Sequence, residues 1–328
     1  MRVAAPRRRA HVGPRVAVAI FILATSYPAL GMEWREASFG APDGTTVRYV
    51  VVTAPIPTVA VRVMVPSLGY APLQGSQTAQ KQYGSSSVTA PWTSLEAATS
   101  TPYVASLPPG SVAVISGGFG STDPSRPAAL VIANGEVVKQ LNLSRATPIR
   151  TVTPGAQCPN PKRYKWSGLL CATGGKVRIE STDKLEPNGF AEVEQCRDAL
   201  QSFPLVVEPG GTNGICSDEP TRASSSGKAP KPEARAVICT TPDEIKLIVT
   251  EPTHLYPLAQ QLLTVERCDA ALNLSGSAQA GIGYRSSTQA RWIWWPRIDS
   301  PQPPLASVIV ASDKMPPMPA SSRVRQKK

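Results

Sequence analysis

The sequence is poor in the residues on which many hydrolase and metal sites depend. It contains two histidines, and only His254 lies beyond the N-terminal leader described below. A Ser-His-Asp triad would have to use that single imidazole. A structural zinc site usually takes Cys-x-x-Cys pairs or several histidines, and the sequence has neither pattern. The sequence therefore argues against both kinds of site and indicates no metal ligands.

Charged residues are also scarce, and most of the excess positive charge lies at the two ends. They make up 17% of the chain, and the net charge is +11. Five arginines in the leader and four basic residues near the C-terminus account for most of it, and subtracting five and four from +11 leaves about +2 for the body. Because a nucleic-acid groove carries a concentrated basic surface, we expect no nucleic-acid partner. We predict that residues 314–328 form a basic flexible tail.

Long apolar runs are missing after the N-terminus. Arginines up to Arg15 precede the apolar run Val16 to Ala24, and Ala29-Leu30-Gly31 supplies the small residues that a signal peptidase reads. The run is too short to span a bilayer, and no later stretch approaches that length. We predict a signal peptide at residues 1–31, an exported protein that is periplasmic or secreted, and no stable membrane anchor after cleavage.

All six cysteines lie in the second half of the mature chain. In an exported protein an even number of cysteines predicts three disulfides, although many pairings are possible. Pairing neighbours closes the shortest loops, and each bond would contribute roughly 3 kcal/mol through the entropy of the unfolded chain. The expected pairs are Cys158 with Cys171, Cys196 with Cys216, and Cys239 with Cys268.

The sequence pattern of the body predicts mainly strands, with few helices. Hydrophobic residues make up 41% of the sequence, enough for one sizeable core. We predict an α+β fold in a single domain over residues 32–313, with a mixed or antiparallel sheet core, a few flanking helices, and long surface loops at Ser67 to Trp92 and Asp218 to Glu233. The predicted strands are Thr46 to Thr53, Thr58 to Val65, Val112 to Ser116, Ala129 to Ala133, Glu136 to Gln140, Lys176 to Ile179, Leu205 to Val207, Ala234 to Thr240, Ile245 to Thr250, Ala270 to Leu274 and Ala306 to Val310.

The sequence also predicts two hairpins and two helices. Asn134-Gly135 between apolar runs predicts a type I′ hairpin, and Thr241-Pro242-Asp243-Glu244 predicts another tight connection. Apolar residues from Leu255 to Leu263 recur at helical spacing, and Phe190, Val193, Ala199 and Leu200 outline a shorter helix.

Several predicted strands end in glycine-rich turns. Ser111 to Ser116 runs into Gly117-Gly118-Phe119-Gly120, Leu205 to Val207 runs into Gly210-Gly211, and Ala270 to Leu274 runs into Ser275-Gly276-Ser277. Glycines after a strand bring bare backbone N–H groups close to a ligand, although a simple tight turn is the common alternative. Three such strand ends would converge on one cleft.

The order of these segments resembles the phosphodiester glycosidase family. Val112 to Phe119 resembles the family's strand ending in Asn-Gly-Gly-(Phe/Tyr)-Phe, and Ala129 to Gly135 its following hairpin. Asp198 to Val206 resembles the segment ALQSGPxLV, and Arg235 to Cys239 the strand R-x-A-(V/I)-(G/C). Leu255 to Cys268 resembles the helix before the last motif, Ala271 to Ser277 the motif A-L-N-L-D-G-G-x-S, and Pro303 to Val310 the closing strand. The resemblance covers most of residues 45–312.

The resemblance implies a cleft that binds a sugar linked through a phosphodiester. The implied ligand-binding positions are Ser116, Gly117, Gly118, Phe119, Arg235, Asn273, Gly276 and Ser277. Two positions depart from the family pattern, because Ser116 replaces an asparagine and Ser275 replaces an aspartate. Since glycoside cleavage usually requires paired carboxylates, the change at Ser275 removes an acid from the implied catalytic centre.

Three other acids remain candidates for that chemistry. Glu208 follows the Leu205 to Val207 strand, Asp123 follows Phe119-Gly120, and Asp269 precedes the last glycine-ended strand. Glu208 is the best placed, Asp123 comes second and Asp269 third, and the alternative for each is a solvated turn carboxylate. Arg235 offers a planar guanidinium to a phosphate, or is an ordinary strand arginine. Phe119 would stack on a sugar or pack in the core.

The segment Arg291 to Arg297 carries three tryptophans in four positions. It predicts either a carbohydrate-binding or partner-binding surface, or a half-buried edge strand with large side chains. The edge strand is the simpler interpretation.

Two functions from different classes follow from the sequence. One is a secreted hydrolase of a sugar-phosphodiester from a cell wall or exopolysaccharide, with Arg235 and the glycine-turn amides holding the phosphate. The other is a non-catalytic relative that keeps the glycan-binding cleft and has lost turnover with the aspartate. A purely structural exported protein has no specific support. No cofactor is evident, and a divalent cation is left open.

Overall fold

The computed structural model describes residues 31–66, 92–107, 109–120, 126–146, 155–185, 190–220, 230–296 and 304–314. The leader before residue 31, most of the two predicted loops, and all but the first residue of the predicted tail lie outside these residues. Asp123 also lies outside them. Those predictions therefore remain predictions.

The described residues form seventeen strands and four short helices. The strands are β1 (Glu33–Gly40), β2 (Thr46–Pro55), β3 (Val59–Met64), β4 (Val112–Ser116), β5 (Val131–Ala133), β6 (Glu136–Lys139), β7 (Gly168–Thr173), β8 (Lys176–Ser181), β9 (Asp198–Ser202), β10 (Leu205–Glu208), β11 (Thr212–Asn213), β12 (Glu233–Thr240), β13 (Glu244–Thr253), β14 (Ala270–Gly276), β15 (Ile282–Arg285), β16 (Ile293–Trp295) and β17 (Val308–Asp313). The helices are α1 (Leu95–Thr99), α2 (Pro102–Ala105), α3 (Phe190–Glu194) and α4 (Leu255–Thr264).

The strands form three sheets in which the neighbouring strands pair antiparallel. Sheet 1 has the order β1-β2-β13-β12-β14-β10-β11, sheet 2 the order β16-β15-β4-β17-β3, and sheet 3 the order β6-β5-β9-β7-β8. The predicted α+β class with an antiparallel core is confirmed.

One buried core lies where the three sheets meet. Ile238 and Leu272 of sheet 1, Ile115 of sheet 2, and Leu170 and Leu200 of sheet 3 belong to one contiguous apolar cluster. Since none of the sheets can bury this face alone, each depends on the other two for the main part of its hydrophobic stabilisation.

Helix α4 covers the opposite face of sheet 1. Leu258, Ala259 and Leu262 pack against Val237 and Ile248 from the strands beneath. The 3.6-residue apolar period that predicted this helix is therefore the face that it buries. The helix begins near the start of β12, because Thr253, two residues before the helix, pairs with Glu233.

Both predicted hairpins are present. Asn134 and Gly135 have φ values of 52° and 84°, as a type I′ turn between β5 and β6 requires. At the β12–β13 hairpin, Thr241 N donates to Glu244 O at 2.9 Å, and Glu244 N donates to Thr241 Oγ1 at 3.1 Å. Every predicted strand overlaps an observed one, although two of them begin two residues later than expected, at Val131 and at Val308.

The prediction that Ala199 and Leu200 continue a helix from Phe190 is wrong. Helix α3 ends at Glu194, and both residues belong to β9, where Ala199 pairs with Cys171 and Leu200 with Leu170. Strand β9 lies between β5 and β7, so its residues are held by ladders on both sides. These long-range pairings override a weak local helical pattern.

Two of the three expected disulfide pairs are also wrong. The structure has Cys158–Cys216, Cys171–Cys196 and Cys239–Cys268, so only the last follows the shortest-loop prediction. Because β7 pairs with β9, Cys171 lies beside the chain entering β9, where Cys196 is found. Strand pairing decides which cysteines meet, and sequence separation does not encode it.

Candidate functional site

The candidate site lies at the C-terminal end of β14, in the middle of sheet 1. Between β12 and β14 the register passes from Val237–Asn273 to Arg235–Gly276, so β14 uses one residue more than β12 over this interval. This β-bulge interrupts the regular alternation of side chains just before Gly276. It lets Ser275 reach β4 of sheet 2, while Gly276 pairs with Arg235.

Ser275 and Ser116 are in direct contact. Ser275 Oγ donates a hydrogen bond of 2.7 Å to Ser116 Oγ, and both residues are buried. Ser116 Oγ also accepts from Gly281 N at 3.2 Å. The two positions that depart from the family pattern therefore face each other. Ser116 Oγ donates in turn to Gly281 O at 3.4 Å.

The glycine turn after β4 lies close to the chain that enters β17. Gly117 N donates to Ser307 O at 2.9 Å, and Gly118 N donates to Ser307 Oγ at 3.1 Å. A Cβ atom at Gly117 would lie 2.4 Å from Ser307 Oγ, so only glycine fits there. The sequence led us to expect that these amides hold a phosphate. Both N–H groups already donate to Ser307 instead, so they are not available for that role.

Aromatic side chains cover the outer side of this turn. Phe119 lies 4.9 Å from Phe203, and Phe203 lies 4.8 Å from Trp166, between ring centroids. Lys165 Nζ lies 5.4 Å from the centroid of Phe203. Phe119 and Phe203 remain half-buried. Phe119 therefore packs against other rings and still presents part of its surface to solvent.

Asn273 connects β14 to the link between β9 and β10. Its backbone N donates to Pro204 O at 3.1 Å, and its Nδ2 donates to Phe203 O at 2.9 Å. Its Oδ1 is buried and has no hydrogen-bond partner among the described residues. A buried acceptor without a partner costs stability, so such a group is often retained for a ligand or a water molecule.

Arg235 supplies the positive charge of the site. Its Nη1 lies 3.3 Å from Glu233 Oε2, and its side chain is 12% exposed. Burial lowers the pKa of the guanidinium, and the charges of Glu233 and Glu219 oppose that effect only in part. Arg235 Nε is buried and finds no hydrogen-bond partner in the described part of the chain. A Cβ atom at Gly276 would lie 3.3 Å from Nη1, so glycine leaves room for the guanidinium.

Two acids beside Arg235 were missed by the sequence reading. Glu233 shares a face of β12 with Arg235, because side chains two residues apart point the same way in a strand. Glu219 accepts a hydrogen bond of 3.3 Å from Tyr256 N at the start of α4, and its Oε1 lies 3.8 Å from His254 Nδ1. Because Glu233 lies two residues before Arg235, the sequence could have indicated that the two side chains share a face of the strand. Only the tertiary packing brings Glu219 to this place.

We call Ser116, Ser275, Gly276, Arg235, Asn273 and the Gly117–Phe119 turn the β14-end cluster. The structure brings these predicted positions together, although their roles in binding stay predictions. Ser277 follows directly and is exposed, with a φ of 53°.

Glu208 does not belong to this cluster. Its neighbour Val207 pairs with Ala271, near the start of β14, whereas Ser275 lies at the other end of that strand. Glu208 Oε2 instead accepts a hydrogen bond of 2.6 Å from Lys162 Nζ. Asp269 is exposed just before β14, also away from Ser275. Glu208 and Ser275 therefore cannot both act on the same sugar carbon.

Within the described ranges, one group of side chains has the spacing of metal ligands. It comprises Cys158, Cys216 and Asp218. Since the two sulfur atoms are bonded to each other, neither is available as a thiolate. The residues of this group therefore do not fit a metal ion. No helix in the described part of the chain is long and apolar enough to cross a membrane.

A glycosidase catalytic domain shares this overall fold. The catalytic domain of zebrafish N-acetylglucosamine-1-phosphodiester alpha-N-acetylglucosaminidase, auto-inhibited by its pro-peptide, matches 89% of this chain and 85% of its own, with a TM-score of 0.53 and 13% identity. At this identity the similarity shows a shared fold alone.

Two further structures are more distant. A hypothetical protein from Synechocystis has a TM-score of 0.46 at 13% identity, covering 87% of this chain and 62% of its own. A protein from Burkholderia pseudomallei described as exported has a TM-score of 0.44 at 10% identity, covering 83% of this chain and 75% of its own. No protein-family profile matches the sequence, and no curated protein resembles it significantly.

Proposed function

We propose that this protein is an exported sugar-phosphodiester-binding protein built on the fold of a phosphodiester glycosidase, with little or no hydrolytic turnover. The observation that carries the proposal is the buried hydrogen bond of 2.7 Å from Ser275 Oγ to Ser116 Oγ. An oxocarbenium-like transition state is stabilised by a nearby carboxylate. Two neutral hydroxyls in contact with each other cannot supply that charge.

Arg235 is the proposed contact for the phosphate. Its guanidinium is mostly buried, and Nε has no hydrogen-bond partner among the described residues. Glu233, its ion-pair partner, is 44% exposed, so this pair is screened by water and can exchange for a ligand. A phosphodiester anion would offer the guanidinium a planar, charge-assisted contact of the kind that arginine prefers.

The sugar would lie beside the half-buried rings of Phe119 and Phe203. These rings lie 4.9 Å apart, and Asn273 Nδ2 holds the backbone of Phe203 through a hydrogen bond to its carbonyl oxygen. Aromatic faces stack on the C–H face of a sugar ring, and the unpartnered Oδ1 of Asn273 can accept a hydrogen bond from a hydroxyl. Three disulfides support the exported part of the proposal, because such bonds persist in oxidising compartments.

One observation favours hydrolysis as a second candidate function. Glu233 brings a partly exposed carboxylate within 3.3 Å of Arg235, so an acid is present at the edge of the cluster. Glu233 would then replace the aspartate that the family carries at the position of Ser275. In that case Glu233→Gln abolishes sugar release while binding of the phosphodiester persists.

Calorimetric titration of the disulfide-bonded protein with an aryl-phosphodiester of N-acetylglucosamine tests the binding proposal. We expect the wild type to bind and Arg235→Ala to lose about tenfold or more in affinity, because a charge-assisted contact is removed. Arg178→Ala is the matched control, since Arg178 on β8 is also paired with an acid two residues away. Its affinity should equal that of the wild type.

Sugar release from the same compound tests the low turnover. We expect little release by the wild type, and more from Ser275→Asp if the aspartate alone completes the site. Absence of binding by the wild type, or equal binding by Arg235→Ala, would contradict the proposed function. Fast release by the wild type that Glu233→Gln removes would instead establish the hydrolase.

A further inference from the structure

Glu208, near the start of β14, lines a cavity separate from the β14-end cluster. A cavity of about 600 Å³ lies between β8, β10, β11 and the first turns of α4. This volume is in the range of small-molecule sites, about 300 to 1,000 Å³. Its lining includes Ser181, Glu208, Asn213 and Tyr256, and none of the residues of the β14-end cluster lines it.

Three polar atoms of this cavity are buried without a hydrogen-bond partner in the part of the chain that the structure describes. They are Ser181 Oγ, Asn213 Nδ2 and Glu208 Oε1. Ser181 is only 3% exposed. Glu208 Oε1 can only accept, Asn213 Nδ2 can only donate, and a serine hydroxyl does both. Burying such groups unpaired is costly, so their convergence on one cavity points to a polar ligand that satisfies them.

Most charged groups of the cavity already have hydrogen-bond partners. Lys162 Nζ donates to Glu208 Oε2 at 2.6 Å, and Asp183 accepts from Arg163 N at 3.1 Å and from Tyr164 N. The remaining lining cation, Lys184, is exposed at the rim. An anionic ligand would therefore meet no unpaired buried cation among these groups. Neutral hydroxyls, which donate and accept at once, match the three buried atoms that lack a partner among the described residues.

The cavity wall is fixed before any ligand arrives. The segment from Gln157 to Lys162 is tied down by the Cys158–Cys216 disulfide and by the pairing of Gln157 with Ser217, whose N donates to Gln157 O at 2.8 Å. The Lys162–Glu208 bond closes the same segment over β10. A preformed wall lowers the entropy cost of binding. Tyr256 adds an aromatic surface for the C–H face of a ring.

We propose that this cavity binds a neutral saccharide unit through Glu208, Asn213 and Ser181. The proposal goes beyond the phosphodiester site and does not depend on it, because Arg235 and Ser275 take no part. It also gives Glu208 a role as a hydroxyl acceptor, in place of the catalytic role expected from the sequence.

Saturation-transfer NMR on the disulfide-bonded protein, with glucose, cellobiose and N-acetylglucosamine as probes, tests the proposal. At least one probe should bind, and Ser181→Ala should weaken its binding about fivefold through the lost hydrogen bond. Asn213→Asp should weaken it at least as much, while its retained oxygen keeps the 2.8 Å hydrogen bond from Ile215 N. Glu251→Gln breaks a surface ion pair with Arg48 and is the control with unchanged binding.

Near-UV circular dichroism of each variant verifies that the fold is intact. The proposal is overturned if none of the three saccharides binds the wild type, or if folded Ser181→Ala and Asn213→Asp bind like the wild type. It is also overturned if glycine or inorganic phosphate competes with the saccharide in this cavity, which would mean a charged ligand. Saccharide binding that only Arg235→Ala removes would assign the ligand to the β14-end cluster instead.

Discussion

At the scale of single residues, the Ser116–Ser275 contact bears on both the proposed function and the stability of the fold. Ser116 Oγ contacts Ser275 Oγ and both the backbone N and O of Gly281, whereas among the described residues the Ser275 hydroxyl bonds to Ser116 Oγ alone. The two serines are therefore not equivalent, although each replaces a polar residue of the family pattern.

We expect Ser116→Ala to destabilise the protein more than Ser275→Ala. The first change leaves the Gly281 N–H and the Ser275 hydroxyl without their partner, at about 1 to 3 kcal/mol. The second removes a single hydrogen bond, at about 0.5 to 1.5 kcal/mol. Urea unfolding of the three proteins measures the difference. Equal losses would mean that water replaces Ser116 at this position.

Glu266 is a buried acid whose ionised form stabilises the fold. Arg35 Nη2 donates to its carboxylate at 2.8 Å, Tyr49 Oη donates at 2.7 Å, and Lys246 Nζ lies 3.3 Å away. Burial alone raises the pKa of Glu266, but the hydrogen bonds from Arg35 and Tyr49 and the charges of Arg35 and Lys246 outweigh it. The pKa is therefore lower than usual.

A carboxyl group whose pKa is lower in the folded than in the unfolded chain stabilises above its unfolded pKa. That contribution is lost as the pH falls through the folded pKa. We expect Glu266→Gln to lower the free energy of unfolding by about 1 to 3 kcal/mol at pH 7. The gap to the wild type should shrink as the pH falls below about 4. Thermal or urea unfolding at several pH values measures it, with the exposed Asp269→Asn as control. A constant gap would contradict this assignment.

At the scale of elements, the contact between sheets 1 and 3 depends on a glycine. A Cβ atom at Gly168, the first residue of β7, would lie 2.3 Å from Leu272 Cδ1 and 2.9 Å from Leu205 Cδ2. Both leucines are fully buried in the shared core. Any side chain at Gly168 must therefore displace β7 or repack this core.

We expect Gly168→Ala to destabilise the fold by about 1 to 3 kcal/mol through overpacking. Gly40→Ala, at the end of β1, is the matched control, since its Cβ would have no atom within 4 Å. That control should change the stability by less than about 1 kcal/mol. Chemical denaturation compares the two variants. If Gly168→Ala is as stable as Gly40→Ala, the sheets are packed less tightly here than the structure indicates.

At the scale of the whole molecule, the disulfides connect parts of the chain that the sheets bring together. Cys158–Cys216 spans 58 residues, whereas Cys171–Cys196 spans 25 and Cys239–Cys268 spans 29. A longer loop loses more entropy in the unfolded chain, so the first bond should contribute most, about 4 kcal/mol against about 3.5 for the others.

We expect material from an oxidising compartment to begin near Met32 and to contain no free thiol. Digestion without reduction, followed by mass spectrometry, should recover linked peptides for Cys158–Cys216 and Cys171–Cys196. A Cys158–Cys171 peptide would restore the pairing expected from the sequence and contradict the structure. Alkylation of cysteines without prior reduction would contradict the prediction that all are paired.

The sequence by itself determined the class of fold and most of its strands, because both depend on local patterns. Apolar alternation, Asn134-Gly135 and the helical period of α4 each reflect the geometry of a few consecutive residues. The even number of cysteines likewise predicted three disulfides. The order of the resembling segments placed Ser116, Arg235 and Ser275 in one region.

Only the tertiary structure decided which distant groups meet. It turned Ala199 and Leu200 into a strand, paired Cys158 with Cys216, and separated Glu208 from Ser275 by the length of β14. It also directed the Gly117 and Gly118 amides to Ser307. These outcomes depend on sheet pairing and on a β-bulge, which arise from contacts between residues far apart in the chain. Local sequence patterns carry no record of such contacts, because each strand could pair with several partners at similar local energy.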